Sequence, residues 1–390
     1  MRQDTDEPSN GAAGTLRHWD AIDALRGIAA MGVVLVHAAR LFPRLPWRAA
    51  QLAGLGLHGV QLFFMVSAVT LALSWQARAP REASPARAFF IRRFFRIAPM
   101  FWAAGAAYLA MDAFVAPFWK NGTVDGLSIF LTAIFCYGWL PATINSVVPG
   151  GWSIADEMMF YLAFPALITM VVNLRRALLF FGIAVLVALT ANQLAPILYD
   201  PRGAFFLQFV YFWLPNQLPV FALGFVTFHL IPWARAAGER RADLLLVIGI
   251  ALLLGVAFGG LPYWSAIGRP MPWRDLVAGA GFMAIILSLT ARPRALLVNR
   301  CTRLIGEVSF SSYLLQFAVI QMAWSSIGPS QLGGIKAVLV FCIVVPCLIS
   351  LNTGMAFVTY RLIERPLMRV GHRLARNGTV PAEARTARLP

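Results

Sequence analysis

Eleven apolar runs separated by polar connections decide what this chain can fold into. They lie near 23–41, 52–75, 97–115, 127–141, 153–173, 177–194, 205–232, 244–260, 273–290, 305–327 and 334–360. About 20 apolar residues carry an α-helix across a bilayer, where a helix satisfies its own backbone polar groups without water. The runs are solid. A membrane barrel is thereby excluded, since its strands alternate apolar and polar over about 10 residues. Only 13% of the residues are charged and the mean hydropathy is +0.69, against about a quarter charged in soluble domains. A soluble enzyme, a disordered chain and a disulfide scaffold are excluded together, the last also because Cys136, Cys301, Cys342 and Cys347 show no paired spacing. The expected fold is an all-α integral membrane protein.

Loop charge decides how many runs span. Lys and Arg concentrate in cytoplasmic loops, and the segment 76–96 holds Arg78, Arg81, Arg87, Arg92, Arg93 and Arg96. Two helices precede it, which puts the N-terminus inside. The later clusters are Arg175 and Arg176, then Arg235, Arg240 and Arg241, then Arg292, Arg294, Arg300 and Arg303, and the tail from Arg361. Counting all eleven runs places these clusters outside; omitting the short run 127–141 places them inside. The reading is therefore a bundle of ten transmembrane helices with both termini cytoplasmic and 116–151 external or re-entrant. Residues 1–18 form a polar tail without the apolar stretch of a cleavable signal, 19–370 the membrane-embedded domain, and 371–390 a polar basic tail. Pro215, Pro219 and Pro346 should kink the later helices. The net charge of +16 follows from the positive-inside bias, so no nucleic-acid partner is expected. No metal centre is expected either, because the five histidines lack neighbours at ligand spacing.

Charge within a spanning helix costs roughly 2.5–3.5 kcal/mol on insertion scales, which makes the few ionisable residues there candidates for function. The first helix holds Asp23, Arg26 and His37. Arg26 and His37 are 37 − 26 = 11 positions apart, close to three turns, so they share a face about 16 Å apart along the axis. Asp23 joins that face three residues earlier. A neutral imidazole in a dry bundle suits general-base work on a hydroxyl. Equally, Asp23 and Arg26 could form an interfacial ion pair and His37 a structural hydrogen bond. At the fourth helix, Glu157 starts from the outer face, where His37 lies, and could orient the imidazole. Alternatively Ser153 is an N-cap, with Asp156 and Glu157 set against the helix dipole. Before the third helix, Arg92, Arg93 and Arg96 could focus three guanidiniums on a phosphate-rich ligand, or could anchor the chain to anionic lipid.

Taken in order from about 19 to 367, these segments resemble the acyltransferase-3 family of integral membrane acyltransferases, which includes bacterial O-antigen, Nod-factor and exopolysaccharide O-acyltransferases. Asp23-Ala24-Leu25-Arg26-Gly27 through His37 is similar to its opening Asp-Gly-Leu-Arg-Gly and its Arg-x10-His signature. The segment from Gly59 to Ala68, with Ser67, resembles Gly-Val-Asp-Leu-Phe-Phe-Val-Leu-Ser-Gly. Arg92, Arg93, Arg96 and Pro99 fit Arg-Arg-x-x-Arg-Ile-x-Pro, and Trp152, Ser153 and Glu157 fit Trp-Ser-Leu-x-x-Glu. Ser309 to Gln316, through Tyr313, resembles Ser-Tyr-Ser-Leu-Tyr-Leu-x-His, and Glu364-Arg365-Pro366 matches the closing Glu-Arg-Pro. Gln61, Ala68, Met158 and Gln316 depart from an acidic residue, a glycine, a second glutamate and a histidine. Gln316 cannot move a proton, so that role falls on His37, and Gln316 is left as a binder.

The resemblance implies a multi-pass protein of the bacterial inner (plasma) membrane. It would move an acyl group, acetyl first, from cytoplasmic acyl-CoA to a hydroxyl of a carbohydrate or lipid-linked glycan. Acyl-CoA is then a co-substrate, membrane lipids are the surroundings, and no cofactor is bound. His37 would be the base, with Arg26, Asp23 and Glu157 as its catalytic company. Arg92, Arg93 and Arg96 would receive the CoA phosphates, and Trp152, Ser153, Ser67, Tyr313 and Gln316 would contact substrate. The rival is a secondary transporter with Asp23, Arg26, His37 and Glu157 as proton and substrate site; the lack of an internal repeat counts against it.

Overall fold

The structure, a computed structural model, describes residues 10–114, 124–203, 205–236, 238–259 and 273–376. Among them every regular element is helical. In chain order these are α1 Asn10–Ala38, α2 Trp47–Gly54, α3 Gly59–Arg78, α4 Pro85–Phe114, α5 Gly126–Ala133, α6 Trp152–Met170, α7 Leu174–Leu198 and α8 Phe206–Phe212. There follow α9 Leu214–Ala236, α10 Gly238–Phe258, α11 Trp273–Ala291, α12 Arg300–Glu307, α13 Ser309–Ile327, α14 Gly334–Thr359 and α15 Arg365–Arg376. Nine helical stretches among the described residues are long and apolar enough to cross a bilayer, and α12 with α13 makes a tenth if the bent pair is one span. The run 127–141 is not among them. It forms the eight-residue α5 and then turns packed between α4 and α6, where Trp102 Nε1 donates to the Ala133 carbonyl at 3.0 Å. Irregular backbone at such a place is tolerated because protein surrounds it.

Three sequence expectations change. The run at 305–327 is bent by 80° between α12 and α13, because Arg300, Arg303 and Glu307 make α12 amphipathic and the truly apolar stretch begins only at Val308. Asn299 starts α12 with a capping box, accepting from Cys301 and Thr302 N–H at 2.9 and 3.0 Å. Pro215 lies in the first turn of α9, where no intrahelical N–H is required, whereas Pro219 and Pro346 lie inside helices. Finally, α1 begins at Asn10 and α15 runs to Arg376, so helix enters both segments read as tails; their parts 1–9 and 377–390 lie outside the described residues.

Burial separates core helices from rim helices. The apolar windows of α3 and of α8–α9 are 67% and 72% buried, those of α7, α10 and α14 only 28%, 22% and 22%. The rim helices turn Leu179, Leu186, Val247, Ile335 and Ile343 outward, which lipid accepts and water would not. The centre is aromatic: Phe221 of α9 stacks on Phe64 of α3 at 4.3 Å and on Phe160 of α6 at 4.1 Å. Near the arginine-rich end of the bundle, α1 and α12 meet backbone to backbone. A Cβ on Gly27 would lie 2.0 Å from the Thr302 carbonyl oxygen, and one on Gly306 1.8 Å from that of Asp23. Such close crossings are what small residues permit in membrane bundles, and this one fixes the turn that carries Asp23 and Arg26.

Candidate functional site

Five helices converge on a cavity of about 670 Å3, its open mouth included. Arg26 reaches it from α1, Ser67 and Thr70 from α3, Arg93 and Arg96 from α4, Ser153, Glu157 and Tyr161 from α6, and Tyr313 from α13. Glu157 is held by two hydroxyls. Ser67 Oγ donates to its Oε1 at 2.6 Å, and the Tyr161 hydroxyl donates to the same oxygen. Tyr161 is one turn beyond Glu157 on α6, a spacing that could have flagged it in the sequence. Arg26 lies in the electrostatic field of Glu157, Asp23 and Arg96, yet it closes on no carboxylate within 4 Å among the described residues. Arg93 also lacks such a pair and lies over the Phe89 and Tyr161 rings at 5.9 and 5.6 Å. Arg96 Nη1 meets the Met368 thioether at 3.3 Å. Three guanidiniums with one carboxylate in its lining suit this cavity to an anion.

The three arginines before the third span do not act together. Arg93 and Arg96 face the cavity, but Arg92 turns to Glu82, with Nη1–Oε1 2.5 Å and Nη2–Oε2 3.1 Å, both side chains largely buried. Neighbouring positions on a helix do not share a face, and Glu82 captures the one that points away. Asp23 stays outside the cavity lining, beside Arg26 and Arg96. Trp152, expected to contact substrate, does not line the cavity: its ring stacks on Phe212 at 4.3 Å. Ser153 does not cap α6, whose N-cap is Gly151; its Oγ donates instead to the Tyr313 hydroxyl at 2.8 Å, which in turn donates to the Gly150 carbonyl at 2.7 Å. Asp156 is fully enclosed, both carboxyl oxygens without hydrogen-bond partners.

His37 lies beyond the Tyr313 end of the cavity and does not line it. Its Nδ1 is 2.8 Å from the Val33 carbonyl oxygen. A carbonyl can only accept, so Nδ1 carries the proton and Nε2 the lone pair. The orienting partner expected in Glu157 is thus the backbone of α1 itself, while Glu157 is committed to Ser67, Tyr161 and the field of Arg26. Gln316 lies beside the imidazole, its Nε2 donating to the Tyr313 carbonyl at 3.1 Å, and the Phe317 ring packs on it at 4.4 Å. Tyr313 and Gln316 are three apart on α13, so one helix face joins the cavity to His37.

Two polar groups carried no site role in the sequence: Glu364 stood only in the closing motif, and His58 only among the histidines without metal-ligand spacing. Glu364, in a π-helical turn over Tyr360–Glu364, is buried, accepts from the Ser311 hydroxyl, and faces Arg96 and Arg26. His58, left without a partner in the sequence, has its Nδ1 3.1 Å from Asp275 Oδ1. No local pattern could have disclosed that pair, since its members come from α11 and from the turn before α3.

Comparison with known proteins adds the following. Residues 19–353 match a family model described as an acyltransferase domain. The chain is 24% identical over 353 residues to the exopolysaccharide production protein ExoZ of Rhizobium meliloti (strain 1021), covering 85% of this chain and 95% of that one. It is 27% identical over 329 residues to acyltransferase MdmB of Streptomyces mycarofaciens, covering 77% and 79%. No solved structure matches significantly.

Proposed function

Because the chain belongs to the acyltransferase family whose model it matches over most of its length, we propose that this multi-pass membrane acyltransferase uses acyl-CoA, acetyl-CoA first, to acylate a hydroxyl of a carbohydrate or lipid-linked glycan. One observation carries the reading. A cavity with three guanidiniums leads along one face of α13 to an imidazole whose Nδ1 is held by the Val33 carbonyl and which has Gln316 beside it. Arg26, Arg93 and Arg96 would hold the donor. Arg26 is too far from His37, about 16 Å along α1, to polarise the carbonyl that His37 serves, so its work is binding. His37 Nε2 takes the proton of the acceptor hydroxyl as the oxygen attacks the thioester carbonyl. The C–O bond forms, the C–S bond breaks, and the proton passes from the imidazolium to the departing thiolate, leaving ester and free thiol. Similarity to ExoZ, an exopolysaccharide production protein, favours a carbohydrate acceptor.

The test is release of free CoA thiol from acetyl-CoA by the purified protein in lipid nanodiscs, with and without a carbohydrate extract. Extract-stimulated release that disappears in His37→Ala supports the reading. Absence of release with acetyl-, succinyl- and longer acyl-CoA, from folded protein, overturns it in favour of the transporter.

A further inference from the structure

The arginines of the basic end are not all alike. Three around α10–α12 are paired with carboxylates: Arg292 faces Glu239 at 3.1 Å and Asp243 at 3.5 Å, Arg294 also pairs with Asp243, and Arg303 meets Asp20 at 2.8 Å. The group around Arg93, which lines the cavity, is built differently. His372, on α15, feels Arg78 from the end of α3, Arg92 and Arg93 from α4, and Arg376 from its own helix. Arg78 in turn feels Arg92 and Arg93, with Glu82 as the opposing charge, and Glu82 is already engaged by Arg92 in two contacts. Cations from three separate helices thus converge where positive-inside anchoring would be served as well by spreading them apart.

The convergence is fixed by packing. Helix α15 lies along α4, and a Cβ on Gly371 would come within 2.6 Å of Phe95 Cβ, so the residue before His372 is pressed against the helix that carries Arg93. Arg93 belongs to both groups: it lines the cavity and stands in the collar around its mouth. Like charges brought together cost free energy unless a polyanion offsets them. We infer that Arg78, Arg93 and His372, flanked by Arg376 and by the Arg92–Glu82 pair, form a phosphate-binding collar that takes the phosphorylated nucleotide end of the donor, its 3′-phosphate above all. This rests on the acyl-CoA reading. It assigns the phosphates to the mouth and leaves Arg26 and Arg96 to the arm deeper in the cavity. An anionic lipid headgroup offers the same phosphate chemistry, so the test separates the two sources.

The probe is adenosine 3′,5′-bisphosphate, which carries the phosphates and no acyl group, titrated onto the protein in nanodiscs of neutral phosphatidylcholine. The collar requires binding that weakens with salt and falls about tenfold in the Arg78→Ala/His372→Ala double variant, as expected for lost charge-assisted contacts at a partly exposed site. Both positions are exposed, so the variant should unfold at the wild-type temperature, and Arg78→Lys should restore part of the affinity. In turnover, the double variant should raise KM for acetyl-CoA about tenfold with kcat unchanged, and should leave KM for the dephospho donor, which lacks the 3′-phosphate, where it was. Turnover identical in wild type and double variant, with equal bisphosphate affinity, overturns the collar while the donor reading stands. Bisphosphate binding lost in the double variant, from a protein that releases no thiol, overturns the donor reading and keeps the collar. No bisphosphate binding in neutral nanodiscs, together with a stabilisation by phosphatidylglycerol that the double variant loses, assigns the collar to lipid and overturns the nucleotide.

Discussion

His37 and His58 occupy the same half of the bundle, at the end of α1 and just before α3, and their surroundings set them different work. His37 is oriented by a backbone carbonyl, with Gln316 and Phe317 beside it and, among the described residues, no carboxylate against it, only the Arg40 cation in its field. His58 is fully enclosed against Asp275, and the carboxylate is reached by the Tyr211 hydroxyl at 3.4 Å. Gln61 Nε2 extends that network to Tyr211 at 3.4 Å and to Gln217 at 3.1 Å. A carbonyl orients an imidazole and leaves it available; a carboxylate in a dry interior pairs with it and ties α11 to α3. The difference teaches that an imidazole's role is set by its Nδ1 partner and by whether a cavity leads to it.

The sharpest way to break that comparison is His37→Ala. Turnover should fall by about 10²–10⁴-fold, the usual share of a general base, with thermal unfolding near that of wild type. A variant that keeps full turnover would remove His37 from the chemistry. The next largest effect belongs to the other histidine's partner. Asp275→Ala leaves His58 without its carboxylate, and breaking a buried pair by removing one member costs about 3–5 kcal/mol. The expected outcome is a lowered unfolding temperature and poor recovery of monodisperse protein, while the fraction that stays folded turns over normally.

A smaller effect separates the amides that accompany each imidazole. Gln316→Ala removes the neutral neighbour of His37 and should lower kcat about fivefold, near the 1 kcal/mol of one hydrogen bond, with little change in stability. Gln61→Ala should do the reverse, lowering the unfolding temperature and sparing kcat. Equal kinetic losses in the two variants would merge the regions that the comparison separates.

What could be read in the sequence was whatever depends on one segment at a time. Hydrophobic length and loop charge add up locally, so the omission of 127–141 and the count of nine spans plus a bent tenth follow from residues that never need to find a partner. Arg26, Ser67, Arg93, Arg96, Ser153, Glu157 and Tyr313 were legible through motif order, and all of them line the cavity. Partner choice was not legible. Nothing local says that Glu82 captures Arg92, that Tyr313 rather than a helix end claims Ser153, or that His58 meets Asp275. The Gly27–Gly306 crossing was equally silent, because a glycine in an apolar run looks the same whether lipid or another backbone lies against it.

The mildest variant tests the comparison most cleanly. If His58 and Asp275 only tie helices together, replacing both by apolar residues of similar size, as in His58→Leu/Asp275→Val, removes the two buried polar groups at once. Buried pairs replaced in this way are often neutral in stability, and Tyr211 keeps Gln61 as a partner. With both members of the contact replaced together, the double variant should unfold within about 1 kcal/mol of wild type, far above Asp275→Ala, and its turnover should stay within about threefold, since no proton transfer is asked of His58. Recovery of stability without recovery of turnover would show that the pair does chemistry, and would place a second base in the half of the bundle where His37 now stands alone.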